Sequence, residues 1–142
     1  MKYDIEQMRR ISIEFNSYLR SHPHFSELKM STVLDRVEND LKKTSQKKAI
    51  ASMLRDIHRQ IKSYFSIEET LNFLIFITPR INFKFEVLER RIREIFDRIA
   101  TSKMVKNEIE FKFIKYLYDS HYGDYERNVL ENLLQSYLNS SR

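Results

Sequence analysis

Apolar residues recur along this chain at helical spacing. Taking about 100° per residue, Ile50, Met53, Leu54, Ile57, Ile61, Tyr64 and Phe65 fall on one arc of a helix, and Lys48, Arg55, Arg59 and Lys62 fall on the opposite arc. The segment Thr78 to Thr101 repeats the plan. Ile81, Phe85, Leu88, Ile92, Ile95, Phe96 and Ile99 face inward, while Arg80, Lys84, Arg91 and Arg98 form a second cationic row. Each segment is built with one face for a core and the other for something anionic.

Caps place the ends of the other helices. Asp4 can cap a helix carrying Ile5, Met8, Ile11, Phe15, Tyr18 and Leu19, which stops near Ser21 because Pro23 disfavours helix in the residue before it. A second helix carries Leu28, Met30, Val33, Leu34, Val37 and Leu41 and ends at Lys42 and Lys43, where cations suit the negative end of the dipole. Thr44 or Ser45 caps the first basic helix. Ser66 with Glu69 forms a capping box that opens a short segment, apolar nearly all round from Leu71 to Ile77, which belongs in the middle of a bundle.

Thr78 is then expected to cap the second basic helix, with Pro79 at its first position. Residues 81–87 also alternate as a strand would, but the helical spacing from Ile81 to Ile99 runs much longer than the alternation. A further helix spans about Met104 to His121, with Ile109, Phe113, Ile114 and Leu117 inward and Gly123 supplying the left-handed residue that ends it. Asp124 caps the last, which carries Val129, Leu130, Leu133, Leu134, Tyr137 and Leu138.

One glycine and two prolines in 142 residues leave too little turn chemistry for tight hairpins. The expectation is an all-α, single-domain helical bundle of about six to seven helices. Its core helices lie at about 44–122, and its flanking helices at 4–21, 28–43 and 124–138. The phenylalanines from Phe73 to Phe113 are read as core rather than as a base-stacking platform. With no cysteine, disulfides, thiolate metal sites and cysteine nucleophiles are excluded. The charged start and the absence of a long apolar run lead to the expectation of a cytoplasmic protein without a membrane segment.

Charge sharpens the picture. The chain carries a net +5, of which Thr44 to Phe65 holds +4 and Thr78 to Thr101 holds +2. The excess cation is local, as a polyanionic partner would require. Basic side chains one and two turns apart on a helix lie roughly 5 to 11 Å from one another by the helical rise, comparable with successive phosphates of a nucleic-acid strand. Such contacts grip the backbone and do not read bases.

Catalytic chemistry is sparse. His22, His24, His58 and His121 are scattered, whereas a metal centre needs three or four converging ligands. Asp119, His121 and Asp124 could hold a divalent ion or a general base, but the first lies near a helix end and the last reads as a cap. There is no Gly-rich phosphate loop and no nucleophile elbow. The reading is of a protein that is not an enzyme and needs no cofactor.

Thr44-Ser45-Gln46-Lys47 opens a basic amphipathic helix, and Phe111, Phe113, Tyr116 and Tyr118 lead into His121-Tyr122-Gly123-Asp124. In these stretches the chain resembles the small, all-helical subunit of multisubunit CRISPR effector complexes of the type III kind. The resemblance covers about half the chain. It implies a non-catalytic antiviral-defence subunit, stacking in copies along the guide RNA and its target, with Lys47, Lys48, Arg55 and Arg59 on the backbone. The sequence thus leads to sequence-independent binding of RNA or single-stranded DNA within a larger ribonucleoprotein assembly, through Lys47, Lys48, Arg55, Arg59, Lys62, Arg80, Lys84, Arg91 and Arg98. The alternative is a protein-interaction module, of phage or host-defence type, whose cations meet an acidic protein partner.

Overall fold

The computed structural model describes residues 3–21 and 47–140, with side chains from Lys48 in the second stretch. The expected helix at 28–43, the His22-Pro23-His24 loop and the Thr44 or Ser45 cap lie outside the described residues. Six α-helices are present among the described residues, and no strand. They are α1 (Ile5–Ser21), α2 (Lys47–Tyr64), α3 (Ile67–Ile77), α4 (Glu86–Ser102), α5 (Glu108–Asp119) and α6 (Arg127–Ser140). The all-α fold expected from the spacing is the fold observed.

Two starts follow local chemistry closely. Asp4 Oδ1 accepts from the Gln7 N–H at 2.8 Å and Gln7 Oε1 accepts from the Asp4 N–H at 3.1 Å, so two otherwise orphaned donors are satisfied reciprocally. Ser66 and Glu69 do the same for α3, at 3.1 and 3.3 Å.

The expected helix from Thr78 is not formed, and neither is the strand. Thr78 continues the bonding of α3: its N–H reaches the Leu74 carbonyl at 3.1 Å and its Oγ1 reaches the same oxygen at 2.6 Å. The N–H groups of Arg80 and Ile81 then both donate to the Ile77 carbonyl. Thr78 therefore finishes α3, and Pro79 stands just past a helix end, where proline is common because it cannot continue the helix. Helical geometry resumes only at Glu86.

Two further boundaries are corrected. Asn107, extended at φ −153°, caps α5 through its side chain, which accepts from the Glu110 N–H at 2.9 Å, so α5 starts later than Met104. At the other end the N–H of Tyr122 donates to the Leu117 carbonyl at 3.3 Å and that of His121 to the Tyr118 carbonyl at 3.4 Å. This is the Schellman pairing, and the left-handed residue it requires is His121 at φ 53°, not Gly123. Gly123 has its own reason: at φ 67°, a Cβ there would stand 2.7 Å from Tyr125 Cε2. Asp124 caps nothing, since α6 opens at Arg127 and its first helical carbonyl bond comes from Glu126.

The described chain divides into two compact units. One takes its residues from Met1–Tyr64 and Phe73–Phe85, the other from Phe65–Asn72 and Glu86–Arg142. In the first, α1 packs against α2, and Phe73, fully buried, is the hub of a ring cluster. Its centroid lies 5.5 Å from Phe15, 5.1 Å from Tyr18 and 6.3 Å from Phe85. Burying such a side chain contributes roughly 1.5–3 kcal/mol, and favourable ring geometry adds about 0.5–1.5. In the second, α5 and α6 run antiparallel: Phe111 stacks on Tyr137 at 4.6 Å at one end, and the Tyr118 hydroxyl donates to Glu131 at 2.9 Å further along.

Most residues expected to face inward are buried, and others, Met53, Ile81 and Leu134 among them, are half-buried. Three are exposed. Tyr64, the last residue of α2, is 70% exposed, and Ile109 in the first turn of α5 and Leu138 in the last turn of α6 are also exposed. All three sit at helix ends, where periodicity continues on paper after the packing partner has stopped. Ile75 of α3 is exposed as well, so that helix is less enclosed than its composition suggests.

Candidate nucleic-acid interface

The first cationic row survives folding as a surface. Lys48, Arg55, Arg59 and Lys62 are all exposed on α2, opposite the buried Ile50, Leu54, Ile57 and Ile61. Lys47 begins the helix, and its side chain lies outside the described residues. At about 100° per residue the four described cations lie within about 30° of a common line. They extend over about 21 Å of axis at 1.5 Å per residue. Ser52 and Ser63 complete the same arc and are also exposed.

Among the described residues no ion pair engages Lys48, Arg55 or Lys62. Arg59 Nη2 meets Asp56 Oδ1 at 2.6 Å, with both side chains more than 60% exposed. A pair so placed, three residues apart on a solvated helix, is worth only about 0.2–0.5 kcal/mol. It yields readily to a phosphate. Asp56 is the one acid exposed on α2, so the face stays strongly positive.

The second row does not survive. Arg80 is drawn into a structural clasp within the first unit. Its Nε lies 3.5 Å from Glu14 Oε2, its Nη1 donates to the Phe76 carbonyl at 2.5 Å, and its guanidinium covers the Phe76 ring at 3.8 Å. Arg10 holds the other oxygen of Glu14 at 3.2 Å and donates to the Arg80 carbonyl at 3.3 Å. Arg91 is likewise turned to structural use in the second unit, with Nη2 donating to the Phe65 carbonyl at 3.1 Å and Nη1 3.7 Å from Glu94. Lys84 lies in the non-helical stretch before α4, so it shares no helix face with Arg91 and Arg98. Lys84 and Arg98 are exposed, but α4 sets Glu86, Glu94 and Asp97 against Arg90, Arg93 and Arg98 on its solvent side, and that face is neutral. The row read as continuous through Arg80, Lys84, Arg91 and Arg98 is broken by the unwinding of residues 81–85.

Other concentrations of polar groups are structural. A cleft of about 530 Å³ lies between the start of α1 and residues 79–83, but Asp4, Gln7, Arg10 and Arg80 in its walls already bond to one another or to Glu14 and backbone. Asp119 is paired with Lys115 at 2.8 Å. His121 Nδ1 faces Arg127 Nη1 at 2.9 Å, and since a guanidinium can only donate, the imidazole accepts there and carries its proton on Nε2. Among the described residues no group of three or more His, Asp or Glu side chains converges as metal ligands would. No described helix is long and apolar enough to cross a membrane.

Beneath α4 in the second unit, the Tyr122 hydroxyl donates to Glu89, and burial together with that carboxylate raises the phenol well above its ordinary range. Tyr125 packs on Phe96 at 4.6 Å under the Arg93 guanidinium, at 4.2 Å, and burial pushes its hydroxyl up to about 12. Both phenols stay protonated and serve packing. Nothing in the sequence pattern marked them, because their partners lie a helix away.

No protein-family model matches the chain, and no curated protein or solved structure does either.

Proposed function

We propose that this protein binds the backbone of RNA or single-stranded DNA without reading sequence, as a non-enzymatic subunit of a larger ribonucleoprotein assembly. The observation that supports it is the α2 face: four exposed cations in line, a single weakly paired acid, and a buried apolar face behind them. Backbone binding of this kind draws its free energy from counterion release and weakens steeply with salt. The resemblance of the Thr44 to Asp124 stretch to type III CRISPR small subunits supports the setting in an assembly. It points to the same helix.

The test is fluorescence anisotropy of labelled RNA and single-stranded DNA across a salt series. Arg55→Glu with Arg59→Glu should remove most of the binding while helicity and melting temperature hold, since both side chains are solvated. Unchanged affinity in that variant would sink the proposal and favour an acidic protein partner, whose binding would be partner-specific.

A further inference from the structure

The shape of the α2 stripe restricts what it can hold. A helix lying in a duplex groove meets a phosphate wall on either side, and so needs cations on both flanks of the face it inserts. Here the four described cations keep to one line. The flanks are Ala49, Asp56 and Gln60 on one side and Ala51, His58 and, by helical angle, Lys47 on the other, so the first flank carries no cation. A duplex strand also turns away from a straight row: at 10–10.5 base pairs per turn, four successive phosphates swing through roughly 100° about the duplex axis. A flexible single strand can lie straight along the roughly 21 Å that separate Lys48 from Lys62.

The same arc carries no aromatic side chain on which a base could stack. Besides its cations it carries Ser52 and Ser63, whose hydroxyls suit phosphate and sugar oxygens. Stacking on an aromatic side chain contributes about 1–3 kcal/mol per base in surfaces built for it. The exposed aromatic on this helix, Tyr64, lies roughly 170° round from the stripe. Tyr18, Phe73, Phe76 and Phe85 are taken up in ring contacts with one another or with His58.

We infer that α2 is a track for one single strand, held through about four phosphates with its bases unread and unstacked, and that pairing of the strand with its complement weakens the hold. This rests on the backbone-binding reading above and goes further: it sets the length of strand held at about four phosphates and makes pairing of that strand the event that loosens it. A strand held this way presents its bases outward for pairing, and the duplex then departs from the straight row.

The experiment uses the full chain and four labelled probes of equal length: oligo-dT, mixed-sequence RNA, an abasic oligonucleotide of the same backbone, and duplex DNA. The expected result is equal binding of the first three, with duplex bound several-fold more weakly. The slope of log affinity against log salt should be near −2.8, from about −0.7 per phosphate, so affinity falls about fifty-fold between about 50 and about 200 mM salt. In the Arg55→Ala, Arg59→Ala variant the slope should halve, and adding complementary strand to the bound oligonucleotide should lower the anisotropy change attributable to protein. Loss of the abasic probe would show that bases are stacked, and duplex binding as tight as single strand would show that straightness does not select; either overturns the inference and leaves backbone binding standing. Failure of every probe to bind at low salt would overturn both.

Discussion

Arg80 Nε and Glu14 Oε2 lie 3.5 Å apart, and the carboxylate they share with Arg10 is all but buried, its side chain only 11% exposed. A residue that sequence spacing assigns to a ligand-binding row is thereby fixed to the first unit's own framework. Two guanidiniums on one buried carboxylate satisfy both of its oxygens, and the pairing ties residues 78–81 to α1. It also explains why that stretch gains little from becoming helix.

The clasp and the stripe should separate cleanly in mutants. Glu14→Gln leaves two guanidiniums facing a neutral amide, and Arg80→Met removes the pair, the bond to the Phe76 carbonyl and the ring contact. Each should lower stability by about 1–3 kcal/mol, less than a fully buried pair costs because Arg80 is 42% exposed. Neither should change nucleic-acid affinity by more than about twofold at temperatures where the variant is folded. Urea unfolding followed by circular dichroism, alongside anisotropy, checks both halves.

His121 holds a backbone conformation that costs an L-residue other than glycine about 1 kcal/mol. His121→Gly should therefore raise stability by up to about 1 kcal/mol, less whatever the 2.9 Å contact with Arg127 contributes. His121→Val, β-branched at positive φ, should lower it. Thermal melts of the two variants should move in opposite directions, and a destabilised glycine variant would mean that the Arg127 contact outweighs the backbone.

The buried phenols predict an alkaline limb. Because Tyr125 ionises near 12 when folded and near 10 when unfolded, and Tyr122 is raised in the same sense, the folded chain retains protons that the unfolded chain releases. The stability they contribute is complete below about pH 10 and is lost as pH rises toward and through 12. Denaturation midpoints measured from pH 8 to 11.5 should fall above about 10. In Tyr125→Phe that decline should be shallower, with the ring contact to Phe96 retained. Tyrosinate absorbance should place Tyr122 and Tyr125 among the late-ionising tyrosines of the wild type, and Tyr125→Phe should remove one of them.

Much of this architecture is written locally. The single glycine and the helical recurrence of apolar residues determine an all-α chain, and the Asp4 and Ser66 caps determine two helix starts, because a cap is a bond between residues three apart. The α2 stripe is legible for the same reason: exposure on a helix with a continuous apolar face follows from angle alone. Tertiary structure decided the rest. Thr78 and Pro79 read equally well as the start of one helix or the end of another, and the Leu74 and Ile77 carbonyls settled it in favour of the end. Whether a cation is free depends on carboxylates and carbonyls brought close by folding, Glu14 for Arg80 and the Phe65 carbonyl for Arg91, and such partners leave no trace in periodicity. One row of cations was therefore determined by the sequence, and the other was dissolved by the fold.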